Sequence, residues 1–212
     1  PKLREYPEGV IDPWVRTVAV LEDDRTVAYL HYYASHPQSF YGDSRASYDV
    51  PGIIRERLEQ KTGVFQLYLT GCGGDVAFGK YNDGSLEDRE KLTDRLQSGI
   101  EKSIASVSTE PVRSMAWSVT PVTFPLRTDD EFSETTNRRI LDLPESNEVQ
   151  RRKAAIALAW INRVKSGKPV ELSCLSMGSI KMSRRPGEPF VQCQLAAQGM
   201  QPYHFVCVAG YG

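Results

Sequence analysis

The chain has 212 residues, of which 40% are hydrophobic and 25% charged, a composition typical of a globular protein large enough to bury a substantial core. Its formal net charge of -1 gives no electrostatic reason to expect nucleic acid or an anionic membrane as a partner. The sequence has no apolar run near the roughly twenty residues of a transmembrane helix, and no signal peptide. Because it opens at Pro1 and not at a methionine, we expect it to be a piece of a longer chain.

The N-terminal third is predicted to form a β-hairpin followed by a crossover unit. Residues 14–21 and 26–33 are rich in β-branched and aromatic side chains, and the polar stretch between them favours a turn. Apolar residues at helical spacing follow over 50–59, with Asp49 as the expected N-cap, and the β-rich run 64–70 comes next. A strand, a helix and a strand in this order predict two parallel neighbouring strands.

The rest of the chain alternates between helical and strand-like segments. A capping box at Ser85 opens a predicted helix that runs to about Ser106. Its buried stripe is formed by residues four apart: Leu92, Leu96, Ile100 and Ile104. The later elements are predicted as a strand over 112–124, a loop or short helix over 127–137, a helix over 148–165, a strand over 170–177, an irregular loop over 183–189, a helix over 190–199 and a strand over 205–209. We therefore predict an α/β fold, a single domain with a mixed, partly parallel sheet flanked by helices.

Most cysteines and histidines have the surroundings of core residues. Cys174, Cys193 and Cys207 lie in apolar segments, where we expect buried thiols, and no C-x-x-C pair is present. His31 and His204 also lie within apolar, strand-like runs, and we expect them to be core residues.

His36 differs, because it lies where the second predicted strand ends, directly before Pro37, which cannot continue a β-ladder. The third predicted strand likewise breaks into a glycine-rich loop that contains Gly74 and Asp75. Side chains at such strand ends project into the crevice where α/β proteins build their sites. The loop lacks the spacing of dinucleotide and phosphate-binding motifs. These residues are candidates for a hydrolytic site, and spacing alone leaves a structural histidine and a plain glycine turn open as alternatives.

Four short motifs follow one another along the chain: residues 33–37 (Tyr-Ala-Ser-His-Pro), 47–52 (Ser-Tyr-Asp-Val-Pro-Gly), 71–76 (Gly-Cys-Gly-Gly-Asp-Val) and 186–190 (Pro-Gly-Glu-Pro-Phe). In this order and at these separations they resemble the neutral/alkaline non-lysosomal ceramidase family and its bacterial relatives of unknown substrate. The resemblance covers nearly the whole chain. It implies that residues 1–212 are the central part of a ceramidase-like catalytic domain.

The resemblance implies a zinc ion, held in the family by two histidines, a glutamate and a tyrosine, that activates water for hydrolysis of an amide. His36 matches the second zinc histidine and Glu188 the zinc glutamate, a nitrogen and oxygen set that zinc accepts in a site left open for water. Gly74 and Asp75 match the family's loop at the reaction centre. We expect Asp75 either to orient the loop or a histidine ligand, or to cap the glycine turn.

The chain departs from the family pattern at three places. The His-x-His motif that supplies the other zinc histidine has no counterpart, and we expect it before Pro1. The tyrosine ligand follows, in the family, a stretch like 208–212, so we expect it beyond the end of this chain. Ceramidases carry a serine where this chain has Ala77, which can neither attack a carbonyl nor donate a hydrogen bond. We therefore expect a substrate other than ceramide, still a small or lipid-like N-acyl compound.

Two hypotheses about function follow. The first is part of a zinc-dependent hydrolase that cleaves an amide or related acyl bond with metal-activated water, and His36 and Glu188 favour it. The second is a non-catalytic α/β binding or scaffold domain, favoured by Ala77 and by the missing ligands. The first hypothesis predicts that His36 and Glu188 converge at one edge of the sheet. Asp49 is expected to be a helix cap in preference to a catalytic acid.

Overall fold

The computed structural model describes residues 2–40 and 46–212. The chain divides into two units: the larger comprises Pro1–Ser118 and Ser173–Gly212, and the smaller comprises Val119–Leu172. Helices and strands alternate along the chain, so the predicted α/β class is confirmed. The strands are divided between two mixed sheets.

The first sheet has the strand order β1-β2-β3 and is built as the sequence predicts. β1 (Arg16–Glu22) and β2 (Arg25–Tyr33) form an antiparallel hairpin, and its turn holds Asp23 in the left-handed region with a φ of 54°. β2 pairs in parallel with β3 (Phe65–Thr70), and α1 (Asp49–Thr62) makes the crossover. Parallel pairing brings the carboxyl ends of β2 and β3 to the same edge of the sheet.

The start of α1 corrects the prediction of an Asp49 N-cap. The cap position falls on Tyr48, which makes no side-chain cap, and Asp49 is the first helical residue, with a φ of 46°. The Asp49 carboxylate accepts hydrogen bonds from Ser39 N at 3.0 Å, from Ser39 Oγ at 2.5 Å and from Val50 N at 2.7 Å. The carboxylate therefore ties the helix to the segment that follows β2. Gly63, with a φ of 66°, ends the helix.

α2 (Leu86–Ala105) confirms the predicted N-cap, because Ser85 Oγ accepts a hydrogen bond from Asp88 N at 3.1 Å. The helix packs against α1 over one apolar cluster, and Tyr33 and Tyr68 of the first sheet are packed against that cluster. Its buried members are Val50, Ile54 and Leu58 from α1 with Leu92, Leu96 and Ile100 from α2. Each fully buried aliphatic side chain contributes about 1.5–3 kcal/mol, so this cluster is a main source of stability for the larger unit.

The second sheet has the strand order β4-β5-β6-β7. Its strands are β4 (Met115–Val122), β5 (Val170–Met177), β6 (Ile180–Arg184) and β7 (Phe205–Ala209). β5 and β6 are antiparallel, whereas β6 and β7 are parallel and are connected through α5 (Val191–Gly199). The bounds predicted for β5 and β7 are confirmed, and β4 is shorter than predicted.

β6 corrects part of the expected irregular loop over 183–189. Pairing with β5 on one side and β7 on the other keeps the chain extended as far as Arg184, which lies before Pro186. The irregular part of the loop therefore begins only after the strand has contributed its last pairs. Tertiary pairing, which the local composition does not reveal, decides this boundary.

The smaller unit is built on a helical hairpin of α3 (Glu134–Asp142) and α4 (Glu148–Lys165). The predicted bounds of α4 are confirmed, and Asn147 opens it with a capping box that includes Gln150. α3 begins within the segment predicted as a loop or short helix and extends beyond it to Asp142, and Ser133 caps its N-terminus. Within the described part of the chain, no helix is long and apolar enough to cross a membrane.

Inside the larger unit, β2 and β7 lie close to each other over a small apolar cluster. Val18, Tyr32 and Cys207 are its buried members, and Tyr32 Oη lies 3.1 Å from Met182 Sδ in β6. This contact joins the first sheet to the second.

Two residues that the sequence places in the core lie at the surface. Cys193 is on the exposed face of α5, because the helix buries its opposite face. His204 lies in an exposed turn that precedes β7 and not within the strand. Cys207 and His31 are buried as predicted, and Cys174 is half-buried.

Candidate metal and hydrolytic site

The carboxyl ends of β2, β3 and β7 meet at one edge of the larger unit. Gly71 N, directly after β3, donates a hydrogen bond of 2.8 Å to Tyr33 O at the end of β2. Gly210 N, directly after β7, donates one of 2.9 Å to Thr70 O. Because these two bonds join the three strand ends, the loops that follow the strands share one crevice.

The glycine loop 71–77 lies directly on the backbone of His36. His36 N donates a hydrogen bond of 2.8 Å to Val76 O, and Ala77 pairs with His36 in an isolated parallel bridge. A Cβ atom at Gly73 would lie 3.1 Å from His36 N, a contact too tight for ordinary packing against backbone. Glycine at this position therefore allows the loop to approach the histidine.

Gly74 packs against the segment that carries Glu188. Gly74 N donates a hydrogen bond of 3.0 Å to Pro189 O. A Cβ atom at Gly74 would lie 2.6 Å from Glu188 O, which no real side chain tolerates. Gly74 thus holds the loop against the glutamate segment, and its part in catalysis stays a prediction.

His36 and Glu188 converge at this edge although 152 residues separate them in sequence. His36 Nε2 lies 2.5 Å from Glu188 Oε1. The His36 side chain is 27% exposed and that of Glu188 58% exposed, so the pair faces an open crevice. A carboxylate only accepts hydrogen bonds, so in the neutral imidazole Nε2 carries the proton and donates it to Glu188.

Tyr211, which the sequence pattern did not mark as a site residue, completes the group. Tyr211 Oη lies 2.9 Å from His36 Nδ1 and 3.4 Å from Nε2. Its backbone has a φ of 61°, and Tyr211 N donates a hydrogen bond of 2.9 Å to Gly187 O. Burial raises the pKa of Tyr211 to about 12, and the Glu188 carboxylate adds to the rise, so the phenol keeps its proton at neutral pH.

Asp75 contacts a helix and not the imidazole. Its Oδ1 accepts a hydrogen bond of 2.8 Å from Val191 N, the first residue of α5. A carboxylate at a helix N-terminus satisfies a free N–H group and interacts favourably with the helix dipole. Asp75 therefore joins the glycine loop to α5, and its assignment to the reaction stays a prediction.

The donor chemistry of this edge fits part of a zinc site. Among the described residues, no three or more His, Cys, Asp and Glu side chains are grouped so that they could hold a metal ion. Zinc accepts imidazole nitrogen and carboxylate oxygen, and two ligand atoms on one tetrahedral ion lie about 3.3 Å apart. His36 Nε2 and Glu188 Oε1, now 2.5 Å apart, would separate by less than about 1 Å to reach that spacing, which their exposed side chains permit.

Comparison with known proteins supports the fold. No family model matches the sequence, and no curated protein matches it significantly. Two solved structures resemble the chain over 95% of its length at 13% identity: a neutral ceramidase from Pseudomonas aeruginosa, with a TM-score of 0.63, and a ceramidase complexed with C2, with a TM-score of 0.64. At this identity the likeness shows a ceramidase-like fold alone. The chain spans 40% of the first of these structures and 41% of the second.

Sequence reasoning missed three residues that shape this edge: Tyr211, Gln194 and Asp12. Tyr211 had a usable signal, because it follows the last predicted strand just as His36 follows the second. Gln194 and Asp12 had none. One lies within a helix and the other precedes the first strand, and only the folded chain brings them to the glycine loop.

Proposed function

We propose that this chain is the central part of a ceramidase-like catalytic domain, and that it contributes ligands to a zinc-dependent hydrolase of amide or related acyl bonds. His36 and Glu188 would hold the ion. The observation that carries the proposal is their convergence at 2.5 Å, beside the glycine loop, in a chain with a ceramidase-like fold.

When bound, zinc would lower the pKa of a water molecule to near 7 and polarise the carbonyl of the substrate. The residues of the chain would prepare the site for it. Binding through His36 Nε2 requires the ring proton to lie on Nδ1, and Tyr211 Oη, 2.9 Å away, would accept it. A histidine ligand oriented through its second nitrogen in this way is held in one tautomer and one ring position.

Two protein ligands hold zinc less firmly than the three or four of natural sites. The isolated 212-residue chain should therefore bind zinc weakly and show no measurable amidase activity. Further ligands would come from the remainder of a longer protein, where the family resemblance locates a histidine and a tyrosine.

For the substrate we propose a small or lipid-like N-acyl compound other than ceramide. Ala77 is bridged to His36, so a residue at this position lies beside the proposed reaction centre and offers only a methyl group. Zinc-activated water does not need a serine nucleophile, because the metal supplies both nucleophile and electrophile.

The test is kinetic. The longest natural form of the protein, stripped of metal and reloaded with zinc, should hydrolyse short N-acyl compounds better than a ceramide analogue. Glu188→Gln should remove the activity, and His204→Ala, at an exposed turn, should leave it unchanged. Activity that survives complete metal removal would contradict the zinc mechanism, and efficient cleavage of ceramide would contradict the substrate assignment.

A second candidate is a non-catalytic binding or scaffold domain. Ala77 favours it, as does the lack of a group of three His, Cys, Asp or Glu ligands in the described part of the chain. Metal analysis of the longest natural form separates the two. Stoichiometric zinc supports the hydrolase, and its absence after growth in zinc-supplemented medium supports the scaffold.

A further inference from the structure

A buried glutamine links the glycine loop to an ionised aspartate far away in sequence. Gln194 lies in α5 and is 4% exposed. Its Oε1 accepts a hydrogen bond of 3.1 Å from Cys72 N in the loop, and its Nε2 donates one of 2.7 Å to Asp12 Oδ2. Both bonds are buried, so water does not replace either one when it is lost.

Asp12 fixes the direction in which the Gln194 amide points. Asp12 is 2% exposed, and its carboxylate also accepts hydrogen bonds from Arg16 at 2.6 Å and Gln198 at 2.9 Å. Burial raises the pKa of Asp12, but hydrogen bonds from Gln198 and Gln194 and the charge of Arg16 outweigh this and lower it overall. An ionised carboxylate only accepts, so the NH2 group of Gln194 must face Asp12 and its oxygen must face Cys72 N.

The loop transmits this constraint to the candidate ligand. Cys72 precedes Gly73, which lies so close to His36 that a Cβ atom there would be 3.1 Å from His36 N. His36 N in turn donates to Val76 O at 2.8 Å. A displacement of the loop at Cys72 therefore moves Gly73 and Val76, the two loop residues that contact the His36 backbone.

We propose that Gln194, oriented by Asp12, is a positioning residue that holds the glycine loop and, through it, His36 of the zinc site. This inference rests on the proposed function for its last step, the placing of a metal ligand. Residues that fix a ligand from behind commonly change metal affinity by 10–100-fold when removed, and an indirect backbone link belongs at about the lower end of that range.

The chain offers a matched pair of variants. Gln194→Leu and Gln198→Leu each remove one hydrogen bond to Asp12, and only Gln194→Leu also removes the bond to Cys72 N. Amide hydrogen exchange by NMR should be about tenfold faster at Cys72 in Gln194→Leu than in Gln198→Leu. Zinc affinity, measured in the longest natural form by competition with a chromogenic chelator, should fall about tenfold in Gln194→Leu and about twofold or less in Gln198→Leu.

The two arms separate the inference from the proposed function. Equal exchange at Cys72 in the two variants would overturn the positioning role, whatever the zinc result. No zinc binding by the unaltered longest natural form would overturn the proposed function, while the exchange arm still decides whether Gln194 holds the loop. If Gln194→Leu does not fold, Gln194→Met removes the same bonds with a side chain of nearly the same length, and the same outcomes apply.

Discussion

The two histidines in and after β2, His31 and His36, differ in burial and in the partners of their rings. His31 is 1% exposed, its Nδ1 lies 2.9 Å from Thr17 Oγ1, and its Nε2 lies 2.8 Å from Gln66 Oε1. Gln66 Nε2 donates to Val64 O at 2.9 Å, so its oxygen must accept the proton of His31 Nε2. Thr17 then donates to Nδ1, and His31 is held as a neutral imidazole with both ring nitrogens hydrogen-bonded inside the core.

His36 has a hydrogen bond at each ring nitrogen as well, but it differs from His31 in exposure and in the charge of one partner. It is partly exposed, and a carboxylate from Glu188 and a phenol from Tyr211 face its two nitrogens. The difference teaches that the strand-end position and the charged partner mark a candidate ligand, and that histidine alone does not. Burial gives His31 a structural role, whereas partial exposure leaves His36 accessible for chemistry.

The largest expected contrast is in stability. His31→Ala would empty a buried site and leave Thr17 and Gln66 without their partner, so it should lower the free energy of unfolding by about 2–4 kcal/mol. His36→Ala, at an open crevice, should change it by less than about 0.5 kcal/mol. Urea unfolding followed by circular dichroism measures both, and equal losses would mean that the two histidines do not differ in role.

Zinc affinity should depend on His36 and Glu188 and not on a histidine elsewhere on the surface. His36→Ala and Glu188→Gln should each lower the affinity of the chain for zinc by about tenfold or more, because each removes one of the two proposed ligands. His204→Ala is the control, since that histidine lies in an exposed turn. Titration calorimetry decides, and a loss in His204→Ala as large as in His36→Ala would relocate the site.

The pH dependence of stability sharpens the comparison further. Burial lowers the pKa of His31 below the ordinary histidine value of 6.5, and the hydrogen bond to Gln66 only partly offsets this. The unfolded chain therefore binds a proton more readily than the folded one. This contribution to the free energy of unfolding is complete above about pH 6.5 and is lost as the pH falls from there through the folded-state pKa.

The measurement is a series of about six urea unfolding curves at pH values between 7.5 and 5. His31 can add at most about 1.4 kcal/mol per pH unit to the slope in this window. The slope should be smaller in His31→Gln, which cannot titrate. An unchanged slope would show that His31 is not the group responsible.

Local signals explain most of what the sequence predicted. The bounds of α4, β5 and β7 follow from caps, helical spacing and β-branched runs. The meeting of His36 and Glu188 follows from the resemblance and from the rule that strand ends share an edge.

The remainder depends on tertiary contacts. β6 exists because two neighbours pair with it, and Cys193 is exposed because α5 buries its other face. Asp12 and Gln194 meet only after the chain has folded, so no spacing in the sequence indicates their bond. Sequence therefore predicts the candidate ligands better than it predicts the residues that hold them.

The smallest expected effect concerns Ala77. Restoring a hydroxyl by Ala77→Ser in the longest natural form should change activity on its own substrate by less than about tenfold, because one added hydrogen bond contributes about 0.5–1.5 kcal/mol. It should not create a ceramidase. Kinetics on a ceramide analogue and on short N-acyl compounds test both statements, and a large gain on ceramide alone would show that Ala77 determines the substrate.

The most direct test of the central claim is anomalous diffraction at the zinc edge from crystals soaked in excess zinc, which offsets the weak binding of two protein ligands. We predict one strong peak about 2.0–2.2 Å from both His36 Nε2 and a carboxylate oxygen of Glu188. A peak on His31 or His204, or none at the strand-end crevice at full soak concentration, would contradict the assignment of these two residues as zinc ligands.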